Sequence, residues 1–190
     1  MEHVAKAKLP TRFGDFTIHA FVEGTLEHVA LIRCEHRSHS GVPVRIHSQC
    51  LTGDALSSKK CDCRDQLEAA MKYLEEHKCG VLIYLDQEGR GIGLSNKIKA
   101  YALQDQGRDT VEANRELGFC DDARDFKVAA DILKFFEITE IKLMTNNPKK
   151  IEDLEKHGIK VVERIPIISK PTKYNEKYLK TKKEKMNHKL

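Results

Sequence analysis

Residues 61–85 read CDCRDQLEAAMKYLEEHKCGVLIYL, and within them the chain changes style. Leu67, Ala70, Met71 and Leu74 recur at helical spacing, and Gly80 follows soon after that pattern stops. VLIYL (81–85) is a short continuous apolar run, the mark of a buried strand. Upstream, FTIHAFV (16–22), HVALIRC (28–34) and VPVRIHS (42–48) are rich in Val, Ile and Phe with turn residues between them, which predicts strands. Downstream, helix and strand alternate. Ile98, Tyr101 and Ala102 mark one face of a helix starting at Ser95 or Asn96 and stopping at Gly107. Asp109 and Glu112 form a capping box that opens a short helix toward Leu117. A helix over 124–136, the strand IKLMT (141–145), a helix ending at Gly158 and the strand IKVVERI (159–165) complete the pattern. Strands first and alternation afterwards predict an α/β fold: a single domain with a mixed β-sheet, without internal repeat, linker or second domain.

At 190 residues the chain fits one domain and can bury roughly 70% of its unfolded surface, so neither disulfide nor metal is needed merely to fold. Its 40% hydrophobic and 33% charged composition is that of a globular protein. The net charge of +4 is unevenly spread: residues 170–190 hold eight Lys against two Glu, which leaves residues 1–169 at −2. That body does not suit a duplex-gripping protein, and the expected division is a catalytic domain over 1–169 followed by a mobile lysine-rich tail over 170–190. MEHVAKAKLPT is too charged for a secretory signal, and no apolar run approaches the ~18 residues of a membrane helix. A cytoplasmic location is expected. Thiols stay reduced there, so the six cysteines (34, 50, 61, 63, 79 and 120) read as core residues, metal ligands or nucleophiles.

Cys50-x10-Cys61-x-Cys63 is the strongest local signal, because three close thiolates at a helix start suit zinc. A catalytic zinc keeps a position open, whereas a structural one takes a fourth ligand, here Cys34, Cys79 or His47. Spacing alone leaves both open, along with simple packing of reduced cysteines. QEGRGIG (87–93) is either a phosphate cradle, with Arg90 adding charge, or a plain turn. Asp121, Asp122, Arg124 and Asp125 read as capping and solvated charge at a helix start, and Tyr101 as a core residue whose hydroxyl finds a partner. TNNPKK (145–150) is a turn with exposed lysines or an anion site.

Long irregular strings resolve these choices together. RIHSQCLTGD (45–54), CDCRDQLEAA (61–70), QEGRGIGLSNKIKAYALQDQG (87–107), DTVEANRELGF (109–119), DDARDF (121–126) and TNNPKK resemble the GTP cyclohydrolase II family in order and spacing, as does the ending YNEKYLKTKKEKMNH (174–188). The resemblance implies that Cys50, Cys61 and Cys63 hold one catalytic Zn2+. It places Arg45, Ile46, His47, Ser48, Gln49, Gln66, Glu88, Gly89, Arg90, Thr110, Thr145 and Lys150 on GTP-contacting positions. It makes Tyr101 catalytic, Asp122 a proton acceptor, and Arg124 the group acting at the α-phosphorus. The resemblance makes Arg124 a nucleophile there, but a guanidinium holds its proton, so stabilising the charge of a water attack suits it better. Two residues depart from the family pattern: Gln49 stands where many members have Glu, and Arg64 where Gly is usual.

The reaction implied is hydrolysis of GTP, with Mg2+ on the triphosphate. Its products are formate, pyrophosphate and 2,5-diamino-6-ribosylamino-pyrimidinone 5'-phosphate, and it is the first step of riboflavin biosynthesis. A homodimer is implied too, and the dihydroxybutanone phosphate synthase domain fused to some members is not expected here. A nucleobase deaminase would need H-x-E with P-C-x-x-C, which this sequence lacks. A nucleic-acid-binding module would need a basic body and stacking aromatics.

Overall fold

The computed structural model describes residues 1–33, 41–120, 124–169, 171–185 and 189. The chain opens with β1 (Glu2–Thr11), β2 (Gly14–Glu23) and β3 (Leu26–Ile32), followed by β4 (Val42–Ser48), α1 (Leu51–Asp54), α2 (Cys63–Glu76) and β5 (Val81–Leu85). A 3-10 turn (Glu88–Gly91) leads into α3 (Leu94–Asp105), α4 (Thr110–Glu116), α5 (Lys127–Phe135), β6 (Glu140–Met144), α6 (Pro148–Lys156), β7 (Lys160–Ile165) and α7 (Glu176–Lys185). The strands form one seven-stranded sheet in the order β1-β2-β3-β5-β4-β6-β7. β1, β2, β3 and β5 pair antiparallel, with Ala20 opposite Val29 and Val29 opposite Tyr84. β4, β6 and β7 pair parallel, with Val44 opposite Leu143 and Ile141 opposite Val161. The sheet is therefore mixed and the fold α/β, as the alternation in the sequence predicts.

The chain divides into two compact units, each assembled from three segments. Met1–His47, Leu67–Asp86 and Asp125–Ile167 make the sheet unit. Because successive strand residues face opposite sides, Val81, Ile83 and Leu85 of β5 join Val128, Ala129, Ile132 and Leu133 of α5 and Leu154 of α6 in one core. Leu82 points the other way, into a second cluster with Ala70, Met71 and Leu74 of α2. Each fully buried Leu, Ile or Phe contributes about 1.5–3 kcal/mol of transfer free energy. Gly80 sits at φ +134, and a Cβ there would lie 2.3 Å from Leu74 Cδ2 and 2.6 Å from Pro43 O, so the turn from α2 into β5 requires glycine.

Ser48–Gln66, Gln87–Arg124 and Ile168–Leu190 make the second unit, which contains α1, α3, α4 and α7. The capping box predicted at α4 is present: Val111 and Glu112 amides donate to Asp109 Oδ1, and the Asp109 amide donates to Glu112 Oε2. Three features differ from the sequence reading. β1 was hidden because most of its residues are exposed, leaving no buried alternation to read. α3 begins at Leu94 and buries Lys97 and Ala100, while Ile98 is 47% exposed. Within the lysine-rich stretch, where the sequence reading placed no element, Glu176–Lys185 fold as α7 against α4. Leu179, Thr181 and Lys182 are buried there, and Thr172 and Asn175 close the turn before the helix. Lysine-rich composition concealed this because a lysine buries its long stem along apolar surface while its ammonium finds a partner.

Candidate metal centre

The metal centre is built from a chain reversal. Cys50 follows β4 and caps α1, with its amide donating to Asp54 Oδ2 at 3.0 Å, while the Leu51 amide donates to Glu88 Oε2 at 2.6 Å. Eleven residues on, Cys61 comes back just before α2, and Cys63 is the first residue of that helix. The sulfurs of Cys50, Cys61 and Cys63 all lie within 4.8 Å of one another, those of Cys50 and Cys61 at 3.7 Å. A disulfide would need about 2.05 Å. Bonds of about 2.3 Å from a tetrahedral zinc set sulfurs about 3.8 Å apart, so the donor set fits that metal. Gly53 completes the cradle: a Cβ there would meet Cys61 Sγ at 2.8 Å and Cys50 Sγ at 3.2 Å. Among the described residues no fourth Cys, His or carboxylate joins this group. Neither Cys79 nor His47 belongs to it, and Cys34 lies outside the described residues.

Lys97 supplies the charge this donor set calls for. Its ammonium donates to Cys50 Sγ at 3.0 Å and to Glu88 Oε1 at 2.7 Å. Burial alone would lower its pKa, but the bonds to Glu88 and Cys50 outweigh burial and raise it. The bonds from Cys61 and Cys63, with Lys97 beside them, hold the Cys50 thiol far below its ordinary range. The same sharing pushes Cys61 up to about 11 and Cys63 well up. One preformed thiolate is what a first metal contact needs. Tyr101 lies one turn beyond Lys97, its hydroxyl 3.3 Å from Thr52 Oγ1 and its ring 4.9 Å from Lys60 Nζ. Burial pushes its phenol up to about 12, which keeps it a proton donor.

The other expected site residues fall as follows. Arg45 and His47 are buried on β4; the Arg45 guanidinium donates to Met144 O at 2.9 Å, and His47 stacks on Tyr84. Ile46 is a core side chain whose carbonyl accepts from Lys150 Nζ at 2.8 Å. Lys150 is thus buried on α6, not exposed, and its ammonium lies 5.2 Å over the Phe126 ring. Only 145–147 form a turn, with Thr145 Oγ1 accepting from the Asn147 amide, while Asn147 caps α6 and Pro148–Lys150 are its first residues. Ser48 accepts from Arg124 at 3.5 Å, Gln49 is half-buried before Cys50, and Gln66 Nε2 donates to Asp62 Oδ2 at 2.5 Å. Glu88 is buried in the 3-10 turn, and Gly89 and Arg90 take left-handed φ of 62° and 63°. Thr110 is the first residue of α4. Asp121 and Asp122 lie outside the described residues. The Arg64 guanidinium donates to Ser57 Oγ.

Gly53, Asp62, Lys97 and Lys182 escaped the sequence reading. For Lys97 a signal exists, since it stands four residues before Tyr101 and so shares its helix face. For Lys182, one of eight lysines in its stretch, there is none.

Fold and centre together define an α/β protein carrying a three-cysteine group able to hold a metal. A family model described as GTP cyclohydrolase II matches residues 2–166. The GTP cyclohydrolase-2 of Picrophilus torridus is 54% identical over 189 residues, covering 99% of this chain and 98% of that protein. The GTP cyclohydrolase-2 of Campylobacter hominis is 55% identical over 184 residues, covering 97% and 93%, and that of Escherichia coli 54% over 192 residues, covering 100% and 98%. The chain belongs to the GTP cyclohydrolase II family.

Proposed function

We propose that this chain hydrolyses GTP with a zinc ion held by Cys50, Cys61 and Cys63, releasing formate from the guanine ring and pyrophosphate from the triphosphate. The product would be 2,5-diamino-6-ribosylamino-pyrimidinone 5'-phosphate, the entry compound of riboflavin synthesis, made in the cytoplasm. The observation that supports the metal reading is the gathering of three sulfurs within 4.8 Å, two of them 3.7 Å apart. Bound there, zinc supplies a Lewis acid that polarises an attacked carbon and activates water near neutral pH.

The chain's own residues do the rest. Tyr101, held protonated by burial, donates a proton to a ring nitrogen as it gains electron density. Lys97 offsets thiolate charge at Cys50, and Glu88 holds Lys97 in place. Arg124 would set its guanidinium against the charge developing at the α-phosphorus, with Asp122 as proton acceptor; Mg2+ accompanying the triphosphate would offset part of its charge. The family resemblance supports GTP contacts at Arg45, Ile46, His47, Ser48, Gln49, Gln66, Glu88, Gly89, Arg90, Thr110, Thr145 and Lys150. Because Ile46 is buried, its contribution would come from the main chain. Ile98 and Leu94 leave apolar surface exposed on α3, which supports the family's homodimer.

The test measures bound zinc, formate and pyrophosphate with GTP and Mg2+. Cys61→Ser should lose zinc and formate release while pyrophosphate release persists and guanosine monophosphate accumulates. Arg124→Ala should stop pyrophosphate release. Full formate production by Cys61→Ser would overturn the metal assignment.

A further inference from the structure

Asp62 stands between two of the three metal ligands, and its carboxylate is 1% exposed. Two partners hold it: Gln66 Nε2 donates to Oδ2 at 2.5 Å, and Lys182 Nζ donates to Oδ1 at 2.8 Å. Gln66 is a neighbour along α2, but Lys182 comes from α7, 120 residues away in sequence. The Lys182 ammonium also sits 4.3 Å over the Tyr178 ring, whose other neighbour is the Arg90 guanidinium at 6.0 Å. One face of α7 therefore touches both the Cys61–Cys63 turn and the glycine-rich turn. Neither contact follows from the metal chemistry described above, and both belong to the second unit.

We propose that Lys182 is a positioning residue for the metal centre: through Asp62 it fixes the backbone that aims Cys61 and Cys63, making α7 a latch on the bound metal. Three physical points carry this. A backbone rotation at a residue flanked by two ligands displaces one sulfur relative to the other. A carboxylate this buried requires an ionic partner to stay charged. Outer-shell partners of metal ligands typically govern 10–100-fold in metal affinity.

The inference rests on metal binding at the three cysteines, and the experiment separates the two. Full-length wild type, Cys61→Ser, Lys182→Met, Lys182→Arg and Lys180→Met are loaded with zinc and challenged with a chromogenic chelator, following zinc transfer rate and affinity beside thermal unfolding. Lys182→Met keeps the aliphatic stem and removes the charge. It should weaken zinc retention about 10–100-fold, Lys182→Arg should recover most of that, and the exposed Lys180→Met should change nothing. A chain shortened after residue 175 should match Lys182→Met. Lys182→Met retaining zinc like wild type overturns the latch, and so does a loss that Lys182→Arg fails to recover. Wild type holding no more zinc than Cys61→Ser overturns the metal reading and the latch with it.

Discussion

Two buried regions of this chain are built from opposite kinds of side chain. Around β5 the buried residues are Val81, Leu82, Ile83 and Leu85, met by Ile132, Leu133 and Leu74. Around the three sulfurs they are Asp62, Glu88, Lys97 and Lys182, each with a partner of opposite charge or a sulfur. Apolar packing tolerates a lost contact in proportion to the area and cavity involved. A buried charge tolerates nothing of the kind, because losing its partner leaves the full desolvation cost standing. The sheet unit is thus built to be stable, and the second unit holds a specific charge arrangement that sheet packing does not supply.

The largest expected effect tests the charged side of that contrast. Lys97→Met strands Glu88 and removes the cation beside Cys50. Breaking such a pair costs about 3–5 kcal/mol, and the Leu51 and Gly89 amides that still donate to Glu88 place it at the lower end. Denaturant unfolding with and without zinc measures it; an unchanged midpoint would mean that this pair contributes no more than a surface one. Next comes Leu143→Ala in the sheet core, 0% exposed, which should cost about 2–5 kcal/mol. The folded fraction should still carry one zinc per chain, and a loss of metal there would erase the distinction between the regions.

Gly53→Ala should act in the reverse sense. A methyl 2.8 Å from Cys61 Sγ forces the cradle open, with overpacking of this kind costing about 1–3 kcal/mol. Zinc affinity should fall while sheet amides keep their hydrogen-exchange protection. The smallest effect concerns acid. Hydrogen bonds from Arg33 and Lys78 hold the Glu75 carboxyl at about 2, below its ordinary 4.5. A depressed carboxyl contributes stability that is full above 4.5 and is lost as pH falls toward 2. Glu75→Gln should flatten the stability profile between those values by removing the contribution present above 4.5, so the variant unfolds more easily at pH 7 and converges on wild type near pH 2, which acid titration of the unfolding midpoint would show.

Much of this was legible beforehand, for unequal reasons. VPVRIHS matches β4 residue for residue, and the Asp109 capping box is where its sequence put it, because strand periodicity and capping are local. The three cysteines were legible as candidate ligands because their side-chain chemistry is narrow. Lys97 was not, since apolar periodicity counts a lysine as outward-facing, and only the Glu88 and Cys50 contacts make its burial favourable. β1 and α7 were missed for related reasons: one is an edge strand with mostly exposed residues, the other a lysine-rich helix whose buried face includes a charge. Pairings over long sequence distance, such as Lys182 with Asp62, leave no mark in a local pattern.

That last distance bears on the order in which a growing chain acquires its parts. Cys50, Cys61 and Cys63 are neighbours in sequence, so all three leave the ribosome almost together. Lys182 follows Asp62 by 120 residues. At about 5–20 residues per second of synthesis, that interval is roughly 6–24 s. Throughout it the nascent chain presents a complete set of thiols to the surrounding metal pool, with α7 still unmade. During those seconds Asp62 stands without the ammonium that pairs with it in the finished chain.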